Sequence, residues 1–296
     1  MNKKAGIISA LAIIIVGLAA CLGLVLNKTS KNTVISQAKV TQKNKQKTIK
    51  KIKIGLPTIF IHGYGSSYHA EEHMVNAAVQ AGVTNSKNVI RADVASSGQV
   101  KLIGSFSKDA KNPIVEVNLE QGYGDAQDVR NVLEALQNKY SFKEVNLVGH
   151  SYGNLMVANY INDNYQIKTL PTINKVVSIA GHYNGWLGEE EASTSPIKNK
   201  KTGEPEKFSS SFKQLLTLRQ HYPKQIQVLN MYGDLEDGSK SDGSVAVSSA
   251  QSYKYLINGR AKSYREIEFT GKNAQHSRLH RNSQVDKALI EFLWNK

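Results

Sequence analysis

A mostly parallel, doubly wound α/β sheet with helices on both faces is the fold that this sequence predicts, on three observations. From Ile54 onward, short apolar runs rich in β-branched residues alternate with helically spaced ones, the pattern of parallel strands joined by crossover helices. One junction, Gly149-His150-Ser151-Tyr152-Gly153, lies between an apolar strand and an apolar helix, the setting of a sharp strand-to-helix turn. Loops rich in acids and histidines follow the last two strands, which collects polar groups at the carboxyl edge of the sheet.

Taken in order, residues 56–61 form the first strand and run into the turn His62-Gly63-Tyr64-Gly65. Residues 89–94 form the next, and residues 100–106 and 114–119 read as a pair of strands joined by the polar turn 107–112. Val129, Val132, Leu133 and Leu136 share one face of a helix over 125–139. Strands are expected at 145–148, 175–179, 227–231 and 265–269, and a closing helix buries Val285, Leu289, Phe292 and Leu293. Residues 182–222 are polar and short of strand signals, and are expected to form a small lid inserted over the sheet edge.

The chain has 296 residues and a formal net charge of +14, but residues 1–53 carry eleven lysines and no acid. The remaining 27 basic and 24 acidic side chains leave residues 54–296 at +3, so the excess charge describes a tail. That excludes a basic nucleic-acid-binding domain; such a tail fits contact with anionic lipid or wall polymer. Residues 5–26 are uncharged and apolar behind Lys3 and Lys4, long enough to span a hydrocarbon core of roughly 30 Å. Residues 1–26 are therefore expected to be an export segment retained as a membrane anchor, with residues 27–53 as a flexible lysine-rich stalk and 54–296 as the folded domain. Leu18-Ala19-Ala20-Cys21 matches a lipoprotein processing box, so lipidation at Cys21 is the second expectation and a free secreted form the third. All three place the domain outside the cytoplasm. Cys21 is the only cysteine, which excludes an intrachain disulfide.

The G-x-S-x-G pattern makes Ser151 the candidate nucleophile. A bare pattern of this kind arises by chance about 0.1 times in a chain of this length, so the flanking strand and helix carry the argument. The turn exposes the serine hydroxyl and aims the N-terminus of the following helix at the reacting oxygen. An oxyanion formed there needs two amide donors. The N–H of Tyr152 is one, and the turn at 62–65 supplies the other through Tyr64, with Gly63 next. The acid and base should follow in chain order. Asp242 is the expected acid because Asp242-Gly243-Ser244-Val245 re-enters an apolar stretch, whereas Asp234 and Asp237 look like turn residues; Asp234 is its rival. The alternating ligand spacing of a calcium loop is absent from that segment. His276, first after the last strand, is the expected base, with His280 near it or at the surface; His69, His73, His182 and His221 have no partner pattern and read as surface or structural residues.

The motifs HGYG, GHSYG, GDLEDGSKSDGSV and AQHSRLH, with the closing IEFLW, resemble an α/β-hydrolase family of Gram-positive cell-surface hydrolases related to bacterial lipases. The resemblance spans Ile54 to Lys296. It implies the α/β-hydrolase fold, the triad Ser151, Asp242 and His276, and an oxyanion hole at Tyr64 and Tyr152. The expected reaction is hydrolysis of an acyl bond, a carboxylic ester first and an amide second, with no metal or organic cofactor. The expected partners are an ester-containing small molecule or lipid as substrate and the membrane through the N-terminal segment. A surface-displayed binding protein that has lost catalysis is the alternative of a different class.

Overall fold

The computed structural model describes residues 51–257 and 259–296. The expected anchor, Cys21 and the stalk up to residue 50 lie outside the described residues. Among the described residues eight strands form one sheet: β1 Thr58–Ile61, β2 Val89–Val94, β3 Val100–Ile103, β4 Ile114–Leu119, β5 Glu144–His150, β6 Thr172–Ile179, β7 Gln227–Asp234 and β8 Ser263–Thr270. They lie in the order β8-β7-β6-β5-β1-β4-β2-β3. Every neighbouring pair is parallel except β2 and β3.

Side chains alternate across each strand, and here both faces are covered. Ile59, Ile61, Val115, Val117, Val145, Leu147, Val176 and Val228 pack toward helices α2 (Ala126–Lys139) and α3 (Tyr152–Asn164). Phe60, Ile114, Val148, Val177, Leu229 and Met231 pack toward α1 (Glu72–Gln80) and α4 (Ser283–Trp294). Burial of one such side chain contributes roughly 1.5–3 kcal/mol, so the two layers hold the sheet between them. The start of α2 is set by its sequence: Asp125 Oδ1 accepts from Gln127 N–H and Asp128 N–H, while Asp128 Oδ2 accepts from Asp125 N–H at 3.0 Å.

Three details differ from the sequence reading. Residues 100–106 and 114–119 are not paired with each other. β3 instead folds back antiparallel on β2 through a tight turn closed by Ala95 N–H to Gln99 O at 3.0 Å, and β4 runs parallel between β2 and β1. Periodicity identifies a strand but not its partner, and the half-covered pattern of β3 belongs to an edge. β7 continues three residues beyond Met231 to Asp234 because β8 pairs along its whole length. Ile52 and Lys53, expected in the stalk, pair in parallel with Tyr140 and Ser141, and Ile52 packs on the core.

Residues 182–222 follow β6 and contain a 3₁₀ turn at Glu191–Thr194, a hairpin of Ile197–Asn199 with Glu204–Pro205, and short helices at Ser210–Leu215 and Leu218–His221. Phe212, Leu215, Leu218 and Tyr222 are buried in the same core layer as α3. Buried Asn184 ties the excursion together: its Nδ2 donates to Ala192 O and Lys207 O, and its Oδ1 accepts from Ser209 N–H.

Candidate active site

Parallel strands deliver their carboxyl ends to one edge of the sheet, and the sequence-predicted site residues meet there. Ser151 follows β5 with φ 52° and ψ −122°, a left-handed conformation rare for a residue with a Cβ. Its N–H donates to Ile179 O at 2.9 Å, which fixes the turn against β6. A Cβ on Gly153 would stand 2.3 Å from Ile61 O, and one on Gly63 would stand 2.8 Å from Ser151 Cβ. The glycines thus let α3 close on the end of β1 and bring the 62–65 turn beside the serine.

His276 lies at the start of a short helix after β8, and Asp242 lies in the loop after β7. Ser151 Oγ is 2.8 Å from His276 Nε2, and His276 Nδ1 is 2.8 Å from Asp242 Oδ2. The carboxylate can only accept when ionised, so Nδ1 carries the proton and Nε2 is left to accept from the serine hydroxyl. Asp242 is 1% exposed, and its other oxygen accepts Ser244 N–H at 2.9 Å and Val245 N–H at 2.7 Å. Those bonds fix the carboxylate and prevent it from rotating. The backbone also joins the two loops, because His276 N–H donates to Asp242 O at 2.9 Å.

Asp234 ends β7 and spends its Oδ1 on Glu236 N–H at 2.9 Å, and Asp237 caps Ser239 N–H in the same way. Both serve their own turns. His280 is buried behind the site, its ring 4.9 Å from that of His150. His69 and His73 are exposed and pair with Glu72 and Asp286, and His221 stacks on Tyr165.

Three histidines around the site, His62, His150 and His182, were not legible as site residues. His62 is fully buried; its Nδ1–H donates to Gly63 O at 2.8 Å, and Leu119 N–H donates to its Nε2 at 3.1 Å. Burial holds its pKa below the ordinary value, so the ring is neutral with a fixed tautomer. Because a trans peptide points its C=O and N–H in opposite directions, drawing Gly63 O toward His62 turns Tyr64 N–H away from it. That amide takes part in no hydrogen bond among the described residues. Tyr152 is the first residue of α3, so its N–H has no acceptor within the helix. His150 donates from Nε2 to His276 O at 3.1 Å and is kept neutral by burial and by His276 and His280, so it adds no positive charge against a protonating His276. His182, read from sequence as surface or structural, is 7% exposed and forms a step in a run of rings beside Tyr152.

Such an arrangement can remove a proton from a serine, stabilise the imidazolium formed, and offer amide N–H groups to a developing oxyanion.

Residues 28–296 match the family model described as "Alpha/beta hydrolase of unknown function (DUF915)". A structure of the lin2722 product of Listeria innocua is similar at 25% identity with a TM-score of 0.74, covering 82% of this chain and 95% of that one. A candidate cell surface hydrolase of Lactobacillus plantarum WCFS1 shares the fold at 21% identity and a TM-score of 0.64, with 82% and 92% of the two chains covered. No curated protein matches the chain.

Proposed function

The chain belongs to the α/β-hydrolase family of unknown function DUF915 and is a hydrolase, and from that premise we propose that it is a serine esterase acting at the cell surface. The observation that carries this reading is the unbroken hydrogen-bonded line from Ser151 Oγ through His276 to buried Asp242, two steps of 2.8 Å. A binding protein without catalysis has no use for a strained serine held in that line.

In the proposed reaction, Ser151 Oγ attacks the acyl carbonyl while His276 Nε2 takes its proton. Asp242 stays ionised and stabilises the imidazolium, and the N–H groups of Tyr64 and Tyr152 bind the oxyanion. Collapse of the tetrahedral intermediate breaks the carbonyl–oxygen bond, and His276 returns its proton to the leaving alkoxide. Water then repeats the sequence on the acyl-serine and releases the carboxylic acid. An ester is favoured over an amide only by chemistry, because an alkoxide leaves far more readily than a nitrogen anion, so an amide must be protonated on nitrogen before its bond breaks.

A fluorophosphonate probe should label the folded chain at one site, and peptide mass mapping should locate the adduct on Ser151. Labelling elsewhere, or none under conditions where the protein hydrolyses p-nitrophenyl acetate, would remove Ser151 from the mechanism.

The same reading places the domain outside the cell, tethered by the apolar segment 5–26, with an ester-containing small molecule or lipid as substrate and residues 182–222 as a lid bordering the site. Among the described residues no helix is long and apolar enough to cross a membrane, so the tether rests on residues 1–26. Protease added to intact cells should release the domain by cutting the lysine-rich segment; a chain protected until lysis would put it inside.

A further inference from the structure

Four large hydrophobic side chains are exposed among the described residues, and three of them, Tyr64, Tyr123 and Trp186 at 64%, 47% and 48%, connect through ring contacts to Tyr152, the residue after the candidate nucleophile. They are linked ring to ring. Tyr123 stacks on Tyr64 at 5.7 Å, Tyr64 meets the edge of Tyr152 at 6.2 Å, and Tyr152, His182 and Trp186 follow in two stacked steps of 6.2 Å. Exposed rings are unfavourable in water, and a contiguous set of them marks a binding surface.

The hollows beside this run are polar. One of about 420 Å³ opens from Tyr152 and is lined by Asp125, Arg130, Asn159, Asp163 and Gln214, with Met156 and Ala126 as its aliphatic members. A second of about 330 Å³ opens from Tyr123 and shares Asp125 with the first. A site for a long acyl chain would be lined mainly with aliphatic groups, and the carboxylates of Asp125 and Asp163 would repel an anionic lipid surface. Rings with carboxylates and amides between them suit a ligand whose faces are C–H and whose edge is hydroxyl. His182, within the run, is 7% exposed with its Nδ1 unpartnered among the described residues, and burial together with nearby His276 lowers its pKa to about 4, so the ring is neutral.

We propose that the run from Tyr123 to Trp186 and the polar hollows beside it form a glycan-binding subsite, and that the substrate is an O-acylated polysaccharide. The inference rests on the esterase reading above and names its substrate class. Pyranose faces stack on Tyr123, Tyr64 and Trp186, their hydroxyls bond to Asp125, Asn159 and Gln214, and the acyl group of one sugar reaches Ser151. Hydrolysis consumes one water, breaks the acyl carbon–oxygen bond, and leaves a carboxylic acid and a free sugar hydroxyl.

The test separates binding from chemistry in the full-length protein. Chitotetraose, cellotetraose and xylotetraose are titrated by calorimetry into wild type, Tyr123→Ala and Trp186→Ala, and each protein is assayed on p-nitrophenyl acetate, acetylated xylo-oligosaccharide and a tributyrin emulsion. At least one tetrasaccharide should bind wild type, with Kd raised about fivefold or more by either substitution, as expected for loss of one aromatic contact. KM for the acetylated oligosaccharide should rise in parallel, while kcat/KM on p-nitrophenyl acetate stays within about twofold, a readout that misfolding would not spare. If no tetrasaccharide binds, or both substitutions leave binding unchanged, the glycan subsite is wrong whatever the enzyme hydrolyses. Turnover of tributyrin far above the acetylated oligosaccharide, lost in the two variants, would assign the rings to a lipid surface instead. Saccharide binding without hydrolysis of any ester would keep the subsite and discard the esterase.

Discussion

His276→Ala should lower kcat toward p-nitrophenyl acetate by roughly 10³- to 10⁵-fold, and Ser151→Ala by as much, with the far-ultraviolet circular dichroism unchanged. The serine hydroxyl is a weak nucleophile without a base, and His276 Nε2 at 2.8 Å is the group in position to take its proton. Asp242→Asn should fall in the same range, because an amide at that position can present its NH₂ to Nδ1 and hold the imidazole in the wrong tautomer. The backbone bonds from Ser244 and Val245 would keep such a side chain in place, so the loss would reflect proton bookkeeping rather than geometry. Members of one relay act as a unit, so Asp242→Asn/His276→Ala should be little worse than His276→Ala alone. Asp234→Asn and His280→Ala should each cost far less. A larger loss from Asp234→Asn than from Asp242→Asn would move the acid to the end of β7, and an inactive His280→Ala beside an active His276→Ala would move the base.

Glu71→Gln should stabilise the protein at pH 8, on the order of 4 kcal/mol in urea unfolding, and leave it nearly unchanged at pH 4. Glu71 is fully buried at the entry to α1, and neither carboxyl oxygen has a partner among the described residues. A helix N-terminus favours an ionised acid, but here burial outweighs it: burial, then the neighbouring Glu116, pushes the pKa from 4.5 to about 8. Glu116 is itself pushed up to about 7, by burial and then by Glu72. A raised carboxyl pKa means that the folded state holds a proton the unfolded chain gives up. The stability this contributes is fully present below about pH 4.5 and is lost as pH rises through about 8. Glutamine keeps a neutral side chain of the same shape and removes that dependence. Equal shifts at both pH values, or destabilisation at pH 8, would show that Glu71 is ionised in the fold.

Local pattern determined much of this protein. The strand–turn–helix around Ser151 is written in contiguous residues, since a G-x-S-x-G turn needs small neighbours where a Cβ on Gly153 would meet Ile61 O. Tyr64, Tyr152, Asp242 and His276 are legible as candidates for the same reason: each follows the carboxyl end of a strand, and strand ends can be read from β-branched runs and the polar residues that follow.

Pairing and burial were decided only by the tertiary structure. Nothing in residues 100–119 says that β3 returns to β2 while β4 inserts between β2 and β1, because strand partners are chosen by which apolar faces the whole sheet can cover. His62, His150 and His182 look alike in sequence to the exposed His69, and their roles arise from neighbours 57, 126 and about 30 residues distant that the fold brings against them. The same holds for the buried carboxyl of Glu71 and for the run of rings from Tyr123 to Trp186. A sequence records which groups are polar or aromatic, but desolvation and contact depend on what is packed around them, and that is fixed only when distant segments meet.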